Sequence, residues 1–283
     1  MAVVINGSGT VTGLSVGGLP DGTVDEGTLA SDSVTAAKIP DTVEAGFKSG
    51  RKNMIINGAM QVAQRGTSNA AFGAGYLVAD RFRFGNNGSY GNQSQYTVTQ
   101  DSNAPDGFAY SMKLSVGADI AAPSSTQASF IEQIFEKTNV DCLAYGTSSA
   151  KSVTLSFWVK SSLTGQFGVA LAINSTISNS RNYTISSANT WEKKTLTFTG
   201  NTSTAISGDT FKLRFGLAFG ATLAQSGGDS WVSGTYYGAS GNVNLGDTQN
   251  ATWQITGVQL ELGSVATDFE HRSYGEELAL CQR

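Results

Sequence analysis

Apolar and polar residues alternate in many short segments along most of the chain. In residues 153–159 (VTLSFWV), every second side chain is apolar, whereas most of the residues between them are small and polar. A period of two is typical of a β-strand that buries one face. The same pattern recurs in YSMKLSV, QFGVALAI, NYTI, TLTF and FKLRFGLAF, which begin at residues 110, 166, 182, 195 and 211. Spacers rich in Gly, Ser and Asn separate these segments, so the pattern predicts an all-β fold, an antiparallel jelly-roll β-sandwich.

The last alternating segment, residues 252–262, changes parity midway. Trp253 and Ile255 fall on one face of a regular strand, whereas Val258, Leu260 and Leu262 fall on the other. One extra residue at Thr256-Gly257 would return all five apolar side chains to a single face. A β-bulge with Gly in a left-handed backbone conformation provides such a residue. The sequence therefore predicts a long bent strand at this position.

Residues 1–50 differ from the rest of the chain and predict a separate stalk. They consist mainly of Gly, Thr, Ser, Val and Asp, and their first aromatic residue is Phe47. Units such as GTVTGLSVGGL and DSVTAAKI place one or two Val, Leu or Ile residues between turn formers. These short β repeats hold too little apolar surface to fold alone, so identical copies from several chains are expected to wrap around one axis. A flexible linker is the alternative.

Residues 51–283 are expected to form the jelly-roll domain, with a short C-terminal helix. Near its start, the Asn57-Gly58 dipeptide between apolar residues predicts a β-hairpin. Asp80 and Arg81 are adjacent on a predicted strand, so each should find its own structural partner. Near the end, Ser273 is a helix cap that precedes two glutamates, which favours a helix in the last residues.

Residues 221–246 form an unusually long connection and contain the candidate ligand-binding residues. Trp231, Tyr236 and Tyr237 lie there among Gly, Ser and Asn. Flat aromatic faces stack on ligands while small polar groups form hydrogen bonds, so these three residues are candidates for glycan contacts. The alternative is that they pack onto the sandwich or a neighbouring subunit.

Composition narrows the possible partners. The formal net charge is -4, the pI is about 5.0, and only 14% of residues are charged, so we expect no nucleic-acid binding. The two cysteines, Cys142 and Cys281, are far apart and are expected to be free thiols. A signal peptide and an apolar run of about 18 residues are both missing from the sequence, so no membrane insertion is expected.

Catalytic motifs are also missing, and the sequence predicts no enzyme, cofactor or metal site. It contains no GxSxG, HExxH or phosphate-binding glycine loop. His271 is the single histidine, which excludes a metal site built from several histidines. A pair of carboxylates for glycoside hydrolysis is not excluded, because acidic side chains that are distant in sequence can meet in space. The acidic residues considered are Asp101, Asp106, Asp119, Glu132, Asp209 and Asp229.

Several stretches resemble the receptor-binding or tail-fibre-like virion proteins of bacteriophages. These are NMIINGAMQVAQRG, the ADRF of residues 79–82 and WQITGVQLELGSVATDFEHRSYGEELALCQR. The opening repeats similarly resemble the shaft or attachment regions of phage fibres. In that family the central region resembles carbohydrate-binding-module jelly rolls, including SFWVKSS at residues 156–162 and TWEKKTLTF at residues 190–198.

The resemblance implies a homotrimeric virion fibre protein, exposed on the phage particle. Residues 1–50 would attach it to other virion proteins of the tail or capsid, and the jelly roll would recognise host cell-surface polysaccharide. A purely structural decoration protein of the head, neck or tail is one alternative. A tailspike-type glycan-degrading enzyme is the other.

Overall fold

The chain divides into two units, Met1–Phe47 and Lys48–Arg283, in a computed structural model. The described residues are 4–5, 11–12, 51–70, 74–76, 78–88, 90, 95–118 and 121–282. In the first unit, strands β1 (Val4–Ile5) and β2 (Val11–Thr12) pair antiparallel. Apart from these four residues, the expected stalk of residues 1–50 lies outside the described residues.

Antiparallel strands make up most of the regular secondary structure that is described in the second unit. Its described strands are β3 (Ser68–Ala70), β4 (Gly75–Tyr76), β5 (Phe82–Asn87), β6 (Tyr96–Asp101), β7 (Ser111–Val116), β8 (Ala128–Phe135), β9 (Val153–Ser161), β10 (Gly165–Ile173), β11 (Ile177–Ile185), β12 (Glu192–Phe198), β13 (Phe211–Phe219), β14 (Ala224–Gln225), β15 (Val232–Ser233), β16 (Gly238–Ala239) and β17 (Thr252–Leu262). Its described helices are α1 (Lys137–Val140) and α2 (Tyr274–Cys281), with 3-10 turns at Asp141–Leu143, Ala221–Leu223 and Leu245–Asp247.

Two large sheets form the sandwich. Of the described strands, seven form one sheet in the order β15-β11-β10-β13-β8-β5-β4, and six form the other in the order β12-β9-β17-β7-β6-β3. Neighbouring strands in both sheets run antiparallel, whereas the short pair of β14 and β16 is parallel. The predicted all-β, antiparallel jelly-roll sandwich is confirmed.

The core lies between the two sheets and is built from the predicted alternating faces. Phe157 of β9 contacts Phe215 of β13 edge-to-face, with ring centres 5.1 Å apart. Trp253 is fully buried, and its Nε1 donates a hydrogen bond of 3.0 Å to the Tyr183 hydroxyl. Tyr110 is an exception, because it precedes the first residue of β7 and is 39% exposed.

β17 contains the predicted bulge. Its pairing with β9 skips between Thr256 and Gln259, and Gly257 between them has φ 61°. Apolar side chains before and after the bulge therefore reach the same core. Those that are fully buried are Trp253, Ile255, Val258 and Leu260, and Leu262 is partly buried against them.

The predicted hairpin at Asn57-Gly58 is wrong, because no residue from 51 to 67 belongs to a strand. Asn57 does take a turn conformation, with φ 60°. Its side-chain amide, however, donates to the carbonyl oxygens of Val62 and Asp80 and so replaces a cross-strand ladder. Gly58 accepts a hydrogen bond from the Val258 amide, so this turn packs against β17 instead of forming its own sheet.

The predicted C-terminal helix is confirmed as α2. The Ser273 hydroxyl accepts a 3.3 Å hydrogen bond from the Glu276 amide, which satisfies a free N–H at the helix start. Among the described residues, no helix is both long and apolar enough to cross a membrane.

Candidate functional site

Trp231, the first predicted ligand residue, directly precedes the edge strand β15 and lies near the end of β12, at the side of the sandwich. Its indole Nε1 donates a 2.7 Å hydrogen bond to the Thr199 carbonyl, and its ring meets Tyr145 edge-to-face at 5.6 Å. A depression of about 260 Å³ lies next to Trp231. Residues 200–204 line it with polar main-chain and side-chain groups, and Trp231 lines it as well. One face of this indole is therefore committed to packing.

Tyr236 and Tyr237 diverge, as neighbouring residues in extended chain do. Tyr237 is 4% exposed and packs on Phe130, with ring centres 4.5 Å apart. Tyr236 is half-buried, and its hydroxyl donates to the Ser233 carbonyl at 3.4 Å. The three predicted residues do not form one shared surface, and Tyr237 has the packed position that the alternative interpretation describes.

The connection that carries these residues lies on the outer face of the seven-stranded sheet. Gly168 and Gly216 are cross-strand partners on β10 and β13. A Cβ atom at either position would come within 2.7 Å of the Tyr237 carbonyl oxygen. These glycines allow the main chain around Tyr237 to lie flat on the sheet, which explains why this long connection is packed.

The outer face of the six-stranded sheet is covered over one half only. Gln259 and Glu261 of β17 point to this face but are buried under residues 264–272. Glu261 accepts hydrogen bonds from the Thr267 amide and hydroxyl at 2.9 and 2.7 Å, and Gln259 accepts one from the Glu270 amide at 2.8 Å. The C-terminal segment is thus fixed by polar side chains of the sheet.

The uncovered half carries two tryptophans and two lysines, which we call the tryptophan face. Trp158 of β9 lies directly opposite Lys193 of β12. Lys160 follows Trp158 by two residues on β9, and Trp191 directly precedes β12. The Lys160 Nζ lies 5.1 Å from the Trp191 ring centre. With about 3.4 Å per residue along a strand and about 4.8 Å between strands, the tryptophan backbones are roughly 8 Å apart.

Asn103, in the connection after β6, forms hydrogen bonds with two residues of the tryptophan face. Its Oδ1 accepts a 3.1 Å hydrogen bond from Trp191 Nε1 and a second one from Lys160 Nζ. Burial lowers the pKa of Lys160, an effect opposed by Asp101 and reinforced by Lys113. Trp191 is therefore held by a fixed acceptor and a neighbouring cation.

A depression of about 270 Å³ lies beside Trp158, where the covered half of the sheet meets the open half. Aromatic walls come from Phe108, Phe269 and His271, whose ring centres are 4.9 to 5.3 Å apart. The residues that line it are Asp106, Gly107, Phe108, Ser156, Trp158, Lys193, Gly257, Asp268, Phe269 and His271. It therefore combines aromatic surface with an ammonium donor, a hydroxyl and two carboxylate acceptors.

Gly257 gives the β17 bulge a second role in this depression. A Cβ atom there would lie 2.7 Å from the Phe108 ring and 3.1 Å from the Trp158 ring. The glycine needed for the bulge is also needed for the space between these two rings. The parity change in the sequence, which predicts the bulge at Gly257, therefore also identifies a residue that lines the depression.

A sequence signal for the tryptophan face existed but was missed. Trp158 has the opposite parity to Phe157 and Val159, so its large aromatic side chain lies on a face that is otherwise small and polar. An isolated tryptophan on the solvent face of a strand points to binding more than to packing. No local pattern, however, reveals that Phe108 and Phe269 join it, because they come from distant segments.

The remaining candidates have structural surroundings. Asp80 and Arg81 do have the predicted separate partners, since Arg65 lies 2.8 Å from Asp80 and Glu136 lies 3.1 Å from Arg81. Their predicted place on a strand is wrong, because both lie in a turn before β5 and Arg81 has φ 72°. Within the described ranges, no group of three or more His, Cys, Asp or Glu side chains is arranged to hold a metal ion. Cys142 and Cys281 are free thiols.

Comparisons with known proteins find likenesses of structure only. No protein-family model and no curated protein sequence matches the chain. The enzymatically active domain of bacteriophage CBA120 tailspike protein 4 is similar over 75% of this chain and 21% of its own, with 15% identity and a TM-score of 0.42. This chain thus spans about a fifth of the tailspike chain.

Two of the other similar structures are sugar-binding proteins by name. A putative sugar binding protein from Bacteroides thetaiotaomicron matches 75% of this chain and 100% of its own, with 11% identity and a TM-score of 0.42. The family 11 carbohydrate-binding module from Clostridium thermocellum matches 71% and 100%, with 14% identity and a TM-score of 0.33. Because these scores are low, the function proposed below rests on the residues of this chain.

Proposed function

We propose that the jelly roll binds carbohydrate on the tryptophan face of its six-stranded sheet. The observation that carries the proposal is the placement of Trp158 and Trp191 on the open half of that face, each beside a lysine. Aromatic rings stack on the apolar faces of sugars, while amide, ammonium and carboxylate groups exchange hydrogen bonds with sugar hydroxyls. The depression next to Trp158 supplies all of these groups except the amide, which Asn103 supplies beside Trp191.

The biological setting we propose is a phage virion fibre without catalytic activity. Its support is the resemblance of the sequence to tail-fibre-like virion proteins. Residues 1–50 would join three chains into a stalk and attach them to other virion proteins, and the jelly rolls would contact host-surface polysaccharide. Three linked weak sites raise apparent affinity by about 10² to 10⁴-fold, so each face needs only modest affinity.

Trp231, Tyr236 and Tyr237 stay a prediction for glycan contact. Of these, Trp231 has the most favourable place for a second sugar site, because it lines an open depression with polar groups. Tyr237 is buried, so a contact with ligand would require the connection around it to move.

Binding of host polysaccharide by single variants of the full chain tests the location of the site. Trp158→Ala and Trp191→Ala are each expected to weaken binding by at least about 1 kcal/mol, roughly fivefold. Tyr274→Ala changes an exposed aromatic residue of α2 and is the control, which should keep full affinity. Trp231→Ala tests the predicted second site and should keep most of the affinity. Full binding by both sheet variants together with loss in the Trp231 variant would place the site at the side of the sandwich.

One observation favours glycan cleavage as the second candidate function. Asp106 and Asp268, which are 162 positions apart in the numbering, line the same depression. Glycoside hydrolases use two carboxyl groups across the scissile bond. Release of oligosaccharides from host polysaccharide, lost in both Asp106→Asn and Asp268→Asn, would replace binding by cleavage as the function of this site.

A further inference from the structure

A row of charged side chains crosses the outer face of the seven-stranded sheet, on the opposite side of the sandwich from the tryptophan face. Arg83 of β5, Glu132 of β8 and Arg214 of β13 are direct cross-strand neighbours. Glu132 lies 3.4 Å from the Arg83 guanidinium and 3.0 Å from the Arg214 Nε. One carboxylate thus serves two guanidinium groups.

A third cation makes this group of residues strongly positive. Lys212 lies two positions before Arg214 on β13, so it shares the outer face. Burial lowers the pKa of Lys212, and among the charged groups Glu132 opposes this effect whereas Arg214 and Arg83 add to it. Three cations and one carboxylate leave a local charge of about +2, in a chain whose net charge is -4.

Arg214 is held in a buried position by aromatic rings. Its side chain is 5% exposed, and its Cζ lies 5.3 Å from the ring centre of Tyr237 and 5.6 Å from that of Phe130. Burial raises the pKa of Tyr237, and the positive charge of Arg214 opposes that rise. Tyr237 therefore serves as a packing surface for a guanidinium group.

Two donors of this group have no acceptor. Arg214 Nη1 and Arg83 Nε are buried and form no hydrogen bond with any residue that the structure describes. An unsatisfied buried donor is costly, and the cost is greater for a charged group. A negatively charged group bound beside these donors would reduce the excess positive charge and partly compensate the cost of their burial.

We propose that Arg83, Lys212 and Arg214, which we call the arginine cluster, bind an oxyanion group: a carboxylate, sulfate or phosphate. Guanidinium groups present planar pairs of N–H donors that match the oxygens of such groups. Arg83 is 36% exposed and Lys212 is partly exposed, so they form the side of the cluster that faces solvent. The oxyanion has two possible sources, a free inorganic ion or an acidic sugar. This site is independent of the glycan site proposed above.

Calorimetric titration of the full chain tests the proposal at constant low ionic strength, which limits screening. The titrants are sulfate, phosphate and glucuronate, with chloride and uncharged glucose as references. Saturable binding of at least one oxyanion, with none of chloride, is expected. Binding of glucuronate identifies the acidic sugar as a source, whereas binding of sulfate or phosphate alone identifies the free ion.

Variants show whether the arginine cluster holds the ion. Arg83→Gln and Lys212→Gln should each weaken oxyanion binding about tenfold, because each removes one charge-assisted contact. Lys151→Gln removes one positive charge elsewhere and should leave the affinity unchanged. Arg83→Gln leaves the pair of Glu132 and Arg214 intact, and Lys212→Gln provides a second test through a partly exposed residue. The proposal is overturned if no oxyanion binds saturably, or if both cluster variants bind as tightly as the parent chain.

Discussion

Lys160 and Trp191 donate hydrogen bonds to the same atom, the Oδ1 of Asn103. The lysine ammonium also lies 5.1 Å from the centre of the indole ring, within the range of a cation–π contact. Both side chains are half-buried and Asn103 is exposed, so one surface amide sets the orientation of an aromatic ring and a cation together. On the proposed function, this amide prepares the face for a sugar ligand.

Replacing Asn103 should therefore reduce ligand binding more than it reduces stability. Asn103→Ala frees both donors, so we expect polysaccharide affinity to fall by about three- to tenfold, while the free energy of unfolding changes by less than about 1 kcal/mol. Asn103→Asp keeps an oxygen acceptor and should retain most of the affinity. Binding titrations and thermal melts of the same preparations measure the two effects. Equal affinity of the alanine variant and the parent chain would remove Asn103 from the site.

The β17 bulge should be sensitive to any side chain at Gly257. Gly257→Ala imposes a left-handed backbone on a residue with a Cβ and places that atom 2.7 Å from the Phe108 ring, so we expect a loss of about 2–4 kcal/mol in the free energy of unfolding. The larger Gly257→Val change should disrupt folding and assembly more than any single substitution in the connection around Trp231.

Gly208→Ala is a close control for Gly257→Ala. Gly208 has φ 59°, almost the value of Gly257, but a Cβ there would meet no atom within 4 Å. It reports the backbone cost alone, about 1–2 kcal/mol. Denaturant unfolding gives both values. Equal losses in the two variants would show that the space between Phe108 and Trp158 is not tightly restricted.

The fold was predictable because its strands bury one face each, and a period of two is visible in the sequence. The bulge was predictable for the same reason, since Trp253 and Val258 can share one core only if a residue is inserted between them. The absence of a hairpin at Asn57-Gly58 was not predictable. The turn packs against a strand that is distant in sequence, β17, whose Val258 amide donates a hydrogen bond to the Gly58 carbonyl.

The candidate site was only partly predictable. The outward parity of Trp158 is a local signal, whereas its neighbours Phe108 and Phe269 arrive from segments separated by many strands. Tyr237 illustrates the opposite case. Its surroundings of Gly and Ser suggest a binding loop, but the buried Arg214 that it covers lies on a distant strand and leaves no trace beside it in the sequence.

Buried tyrosines should make the domain unstable at high pH. Burial raises the pKa of Tyr96 from its ordinary value near 10 to about 12, and the hydroxyl of Ser129, 3.2 Å away, only partly offsets this rise. Burial also raises the pKa of Tyr145 and of Tyr183. The folded chain therefore holds protons that the unfolded chain releases above about pH 10.

Because the folded chain binds more protons than the unfolded chain in this range, the free energy of unfolding falls as pH rises. The contribution of Tyr96 is complete below pH 10 and is lost as pH rises towards about 12, at a cost on the order of 2–3 kcal/mol from this residue alone. Denaturant unfolding at pH 8, 10 and 11 should show stability that falls only in the upper interval. Tyr96→Phe has no phenol to ionise and should show a shallower fall, whereas Tyr274→Phe, a change at an exposed position, should follow the parent chain. If Tyr96→Phe and the parent lose the same free energy between pH 10 and 11, the ionisation of Tyr96 does not drive the alkaline transition.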